Sequence, residues 1–122
     1  ETRNLVAAIT SNLTAEAYLQ STKLAEKLGP FQEFEKNKEP MLKIMVKHKD
    51  AAEKIHKDGL EELVQTSIDT WNRVIENMNK YGARNAQTTL LAPTGTIGFM
   101  LGCDTTGCEP EFALKKQKKL AG

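Results

Sequence analysis

Cysteine is scarce in this chain: two residues, Cys103 and Cys108, among 122. A structural zinc site needs four ligands. The other soft ligands are His48 and His56, far away in sequence and eight positions apart, so no metal ligand set is expected. A disulfide across the short Cys103–Cys108 loop is geometrically open. One pair is not the framework of a secreted miniprotein, and two reduced thiols, at least one of them buried, are the plainer expectation. Charge of one sign is also lacking. Net charge is +1, so no global field calls for nucleic acid or an acidic partner. No apolar run approaches the roughly 18 residues of a membrane span, and no signal peptide is expected. A cytoplasmic setting is expected. The chain opens at Glu1 without an initiator Met, inside an expected helix, and reads as a piece of something longer.

What is present is ordinary globular material. Hydrophobic residues make up 39% and charged residues 27% of the chain, enough for one domain with a modest core. Residues 3–28 have helical periodicity through Leu5, Ile9, Leu13, Ala17, Leu24, Ala25 and Leu28. Ser11, Asn12 and Thr14 are poor mid-helix residues, so one helix with a weak point and two helices capped by Thr14 both fit. Gly29-Pro30 is a stop. Residues 31–38 read as a loop, and Glu39-Pro40 as a helix start.

The second helix shows one apolar face: Met41, Met45, His48, Ala52 and Ile55. Asp58 and Glu61 have capping-box spacing ahead of a third helix. That helix carries Leu60, Val64, Ser67, Ile68, Trp71, Val74, Ile75, Met78 and Tyr81, with Gly82 as its end. Trp71 is the expected core anchor, having the most area to bury. Residues 1–82 are therefore expected to form a helical cluster. Residues 83–122 are expected to supply a strand, a loop, a short helix and an extended tail. The whole is one domain or fragment of mainly α class with a minor β component.

The second part is organised around Leu91-Ala-Pro-Thr-Gly-Thr-Ile-Gly98. Residues 86–92 are apolar and Thr-rich and read as a strand. Pro93 closes it, since proline cannot donate to a ladder. Thr94 suits a helix N-cap, Gly95 permits close backbone approach, and residues 97–101 read as a short helix. A helix start presents free N–H groups and a partial positive charge, which can hold a phosphate. Spacing alone favours a plain strand–turn–helix joint over a phosphate site, because short motifs of this kind recur widely. Arg84 could pair with a phosphate or stand solvated. Residues 111–114 have extended character. Lys115, Lys116, Lys118 and Lys119 form a basic cluster of the kind usually solvated.

The run Arg84-Asn-Ala-Gln-Thr-Thr-Leu-Leu-Ala-Pro-Thr-Gly-Thr-Ile-Gly98 is followed by Gly102-Cys-Asp-Thr-Thr-Gly107 and Glu109-Pro-Glu-Phe-Ala-Leu114. Together these resemble the adenosylcobalamin-dependent, class II ribonucleotide reductases. Upstream, Ala17-Tyr18, Leu24-Ala25-Glu26, Gly29-Pro-Phe31 and Asn37-Lys-Glu-Pro-Met-Leu42 are similar in the same order. The resemblance implies a piece of a ten-stranded α/β barrel. It implies an enzyme that reduces ribonucleoside diphosphates by radical chemistry with adenosylcobalamin. Its partners would be the nucleotide substrate, the rest of the reductase chain and a thioredoxin-type reductant.

The same resemblance assigns Pro93, Thr94, Gly95, Thr96 and Ile97 to the substrate's phosphates. It supplies no catalytic residue here. The family's radical cysteine with its Asn and Glu partners lies upstream of the matched region, its reducing cysteines lie elsewhere, and no complete cobalamin site is implied. Cys108 stands where the family often has an apolar residue and reads as a small hydrophobe. Lys115 and Gln117 stand where the family tends to have a buried strand. An excised barrel piece would risk self-association through a strand edge and apolar helix faces. Two other classes remain: a non-catalytic helical interaction or regulatory module sharing ancestry with the reductase, and a generic nucleotide-phosphate binder.

Overall fold

The computed structural model describes residues 2–110, 113 and 115. Its helices are α1 (Thr2–Leu28), α2 (Phe34–Glu53), α3 (Glu61–Tyr81) and α4 (Gly95–Met100). The chain divides into two compact units, Glu1–Thr89 and Leu90–Gly122. The first holds α1 to α3; the second holds α4 and the turns around it.

No strand occurs among the described residues, which corrects the expected minor β component. The strand–loop–helix unit does not form as a barrel piece: residues 86–94 have no regular structure. An extended segment becomes a strand only when its N–H and C=O groups meet a partner ladder. No described segment supplies one. Leu90 and Leu91 are accordingly 72% and 86% exposed. The extended stretch expected over 111–114 and the lysine cluster lie outside the described residues, Ala113 and Lys115 excepted.

The helical unit is built on α3. Both α1 and α2 pack on it, and they touch each other little. Val64, Ser67, Thr70, Trp71, Val74 and Met78 form its buried side, a 3–4 spacing that keeps one face inward. Trp71 is fully buried, and its indole N–H donates to Ser11 Oγ at 3.0 Å. Burying that ring is worth at most on the order of 5 kcal/mol. Tyr18 of α1 tilts against it, with centroids 6.3 Å apart. His48 of α2 stacks on it at 5.0 Å, the planes 7° apart.

α1 is one unbroken helix, and it turns an unexpected face inward. Leu5, Ile9 and Leu13 are exposed, as are Val6 and Leu28. Ala8, Ala15, Tyr18, Leu19, Ser21, Thr22 and Ala25 are buried instead. The polar residues that weaken α1 on paper are its contacts with α3. Ser11 and Ser67 share a hydroxyl hydrogen bond of 2.6 Å. Asn12 Nδ2 donates to the carbonyls of Ala8 and Leu63, both at 2.9 Å. Thr70 Oγ1 donates to Glu16 at 3.2 Å. Small side chains let the two backbones approach, and Ser11 and Asn12 find partners there, so no helix break is needed.

α2 starts five residues earlier than the proline suggests, leaving Pro40 inside the helix. A proline there forfeits one backbone hydrogen bond. The first turn is held by other means. Phe34 is buried and meets Phe31 edge-on at 5.6 Å. Asn37 Nδ2 donates to the Glu33 carbonyl at 2.9 Å, and Lys38 Nζ to the Asn79 carbonyl at 3.0 Å. The inward face of α2 is Met45 and Ala52 with Met41 and Leu42 partly buried. The Asp58 cap is also corrected: Leu60 is the N-cap of α3, and Glu61 accepts from the Gly59 N–H at 3.2 Å.

The two glycine stops are observed. Gly29 takes φ +81° and donates to the Ala25 carbonyl at 2.8 Å. Gly82 takes φ +79°, and a Cβ there would lie 2.8 Å from Pro30 Cβ and 3.0 Å from the Phe34 ring. The chain beyond it is laced back to α1. Phe31 N–H donates to the Ala83 carbonyl at 2.9 Å, and Asn85 N–H to Ser21 Oγ at 2.9 Å. Gly82→Ala is expected to destabilise the helical unit by about 1–3 kcal/mol, from backbone strain and overlap with Pro30 together. Urea denaturation of both proteins measures it.

Burial lowers the pKa of His48 below the ordinary value of 6.5. The facing groups are Thr10, Ser11 and Thr14 of α1 and Trp71 of α3, none of them charged. On its own helix, Lys47 and Lys49 flank it, and Lys49 pairs with Glu53 at 3.5 Å. The folded chain resists the proton that the unfolded chain accepts. The stabilisation is whole above the ordinary value and is lost as pH falls below it. Urea midpoints should therefore drop between pH 7.5 and 5.5, with a shallower drop in His48→Gln.

Candidate functional site

The expected site residues are consecutive and exposed: Pro93 and Thr94 lead into α4, and Gly95, Thr96 and Ile97 are its first turn. Thr94 occupies the N-cap position of α4 but does not cap it in the expected way. Its φ and ψ are 50° and 30°, a left-handed conformation, and its side chain makes no capping hydrogen bond. It is the one non-glycine residue with positive φ among those described. Such a conformation costs a β-branched residue on the order of 1–3 kcal/mol, and surrounding contacts must hold it. Its carbonyl still accepts the first helical bond, from Gly98 N–H at 2.8 Å.

The holding contacts come from the segment after α4. Gly102, at φ +67°, donates to the Phe99 carbonyl at 3.2 Å, and Cys103 N–H donates to the Gly98 carbonyl at 2.9 Å. These two bonds form a Schellman motif, which ends the helix and turns the chain back along it. Thr105 and Thr106 then pass over Gly98, the buried residue of α4. Gly107, at φ +58°, comes against the loop. A Cβ there would lie 3.0 Å from the Ala92 carbonyl oxygen and 3.6 Å from both the Pro93 carbonyl oxygen and Thr94 Oγ1. A turn follows, with Glu109 N–H donating to the Thr106 carbonyl at 3.2 Å.

Residues 98 and 107 are thus parts of the site that spacing arguments did not mark. The available signal was glycine at 98, 102 and 107, each where either the backbone turns or another segment passes close. The Arg84 guanidinium reaches the carbonyls of Gly29 and Pro30, both at 3.4 Å. Both cysteines are free and exposed, which corrects the expected burial.

The loop offers neutral donors. The first-turn N–H groups of a helix have no intrahelical acceptor, and these belong to Gly95, Thr96 and Ile97. The hydroxyls of Thr94 and Thr96 lie beside them in sequence. Residues 90–110 contain no Lys, Arg or His, and their acidic side chains are Asp104 and Glu109. An anion here would be held by backbone dipoles without a counter-charge from this segment.

The family "Ribonucleotide reductase, barrel domain" matches residues 1–122. The chain belongs to that ribonucleotide reductase family. It is 48% identical over 120 residues to the vitamin B12-dependent ribonucleotide reductase of Rhodopirellula baltica, an alignment covering 98% of this chain and 12% of that protein. The enzyme of the same name from Agrobacterium fabrum is 41% identical over 138 residues, covering 100% of this chain and 11% of the relative. That from Streptomyces coelicolor is 41% identical over 122 residues, covering 98% and 13%. The chain therefore spans about an eighth of the length of these ribonucleotide reductases. No helix in the described residues is long and apolar enough to cross a membrane. Residues 91–101 are exposed except Gly98, so this loop and the six-residue α4 do not by themselves enclose a corrin ring.

Gly107→Ala is expected to displace the loop, because the added carbon meets both an unsuitable φ and the Ala92 carbonyl. Amide resonances of residues 92–98 should shift while those of α1 to α3 stay in place, as read by heteronuclear NMR.

Proposed function

We propose that this chain is a segment of a vitamin B12-dependent ribonucleoside-diphosphate reductase, and that its loop of Pro93, Thr94, Gly95, Thr96 and Ile97 binds the substrate's phosphates. The observation that carries the reading is similarity along the whole chain to reductases of that name. Supporting it locally is a strained, solvent-open loop whose donors point out of a helix start. N–H groups of Gly95, Thr96 and Ile97 would donate to phosphate oxygens, with the two threonine hydroxyls assisting. Adenosylcobalamin, bound elsewhere in the enzyme, supplies the radical chemistry, and this segment positions the substrate. A thioredoxin-type reductant would serve the whole enzyme, in the cytoplasm where deoxyribonucleotides are made.

The exposed stripe of Leu5, Val6, Ile9 and Leu13 favours a further partner, the rest of the reductase chain. Without it, the segment would self-associate through that stripe. The same stripe is what favours the second reading, a non-catalytic interaction module. The sequence flanking this chain in its gene separates the two: a radical-cysteine loop upstream belongs to a reductase.

Lacking a counter-charge, the separate chain should bind a nucleoside diphosphate at about 1 mM or weaker. Titration with CDP should shift the amides of residues 94–98, and cytidine should not. Thr94→Val should weaken the CDP effect several-fold. Equal shifts with cytidine, or no shifts in a folded sample, would sink the phosphate assignment for this segment.

A further inference from the structure

The two cysteines have no part in the reading above, yet the turns around α4 place them in one small loop. Both are free and exposed. Each directly follows a glycine in the left-handed region, Gly102 at φ +67° and Gly107 at φ +58°. Cys103 is fixed beside Gly98 by its 2.9 Å backbone bond. Thr106 is fixed beside the same glycine, its Cα 3.9 Å from where a Gly98 Cβ would stand. Cys108 is two residues further on, a reach of at most about 7 Å. A disulfide needs Cα atoms about 4.4–6.8 Å apart. The segment between the two cysteines folds back over Gly98, and Gly107, inside the 103–108 ring, is the residue with the backbone freedom to bring the two Cα atoms to that distance.

We propose that Cys103 and Cys108 are a redox-active dithiol that closes to an intramolecular disulfide by exchange with a small-molecule disulfide. The thiolate of one cysteine attacks a sulfur of the oxidant, forming a mixed disulfide and releasing one thiol. The second thiolate attacks the cysteine sulfur of that mixed disulfide, forming the Cys103–Cys108 bond and releasing the second thiol. The chain loses two electrons and two protons, and the oxidant gains them as two thiols. The bond closes a ring through residues 104–107, of which Thr105 and Thr106 lie over Gly98 and Gly107 lies against Ala92, Pro93 and Thr94. Oxidation would thereby reduce the freedom of the strap that holds the loop. This chemistry does not depend on what the loop binds.

The test is mass spectrometry of the chain after incubation with glutathione disulfide, followed by labelling with N-ethylmaleimide. The expected product is about 2 Da lighter than the reduced chain, takes no label, and recovers both labelling sites with dithiothreitol. C103S and C108S should each stop at one glutathione adduct. Peptide mapping should find Cys103 joined to Cys108 in the oxidised wild-type chain. Accumulation of a doubly glutathionylated chain, a disulfide between two chains, or thiols that stay unreactive would each overturn the proposal.

Discussion

The indole of Trp71 is the contact on which the helical unit depends. It lies on the buried face of α3, fully enclosed, and it is touched by both other long helices. Ser11 of α1 accepts its N–H, Tyr18 of α1 leans on it, and His48 of α2 stacks over it. α1 and α2 make little direct contact, so α3 carries the information about where each sits. A ring with one polar edge suits this role: its area supplies the burial, and its N–H fixes rotation by demanding an acceptor at one place.

The orientation of α1 follows from that demand. Two stripes compete on this helix. One is apolar and large, through Leu5, Ile9 and Leu13. The other runs through Ala8, Ser11, Ala15, Tyr18, Thr22 and Ala25 at alternating steps of three and four. The second faces α3, because its small side chains allow close approach and its hydroxyl meets the indole. Hydrophobicity alone favours the first. The larger stripe is left exposed, a surface of the kind that otherwise marks an interaction site.

The loop before α4 shows the same dependence on non-local contact. Thr94 has the right residue type for an N-cap, and its position is that of the cap, yet its backbone is left-handed and its hydroxyl does not cap. The segment that doubles back through Gly107 sits against it, and a side chain at that position would crowd the Ala92 carbonyl oxygen at 3.0 Å. A costly backbone conformation beside a crossing segment cannot be read from the four residues around it.

Local chemistry and resemblance determined a good deal without coordinates. Glycines 29 and 82 end helices at positive φ, which glycine adopts without the strain a side chain brings, and that preference is intrinsic. The pattern of α3 put Trp71 on its buried face, since a clean 3–4 spacing leaves one face to bury. The order of motifs from Ala17-Tyr18 to Glu109-Pro110 named the reductase family. What the tertiary structure alone decided was which face of α1 turns inward, that α2 runs through Pro40, that residues 86–92 are not a strand, and that both cysteines are exposed. Each of these depends on a partner distant in sequence: an indole, a buried phenylalanine, a ladder that has no second strand here, a strap held by its own turns. Periodicity and propensity describe what a segment can bury or pair. Which of the available choices is realised depends on what packs against it.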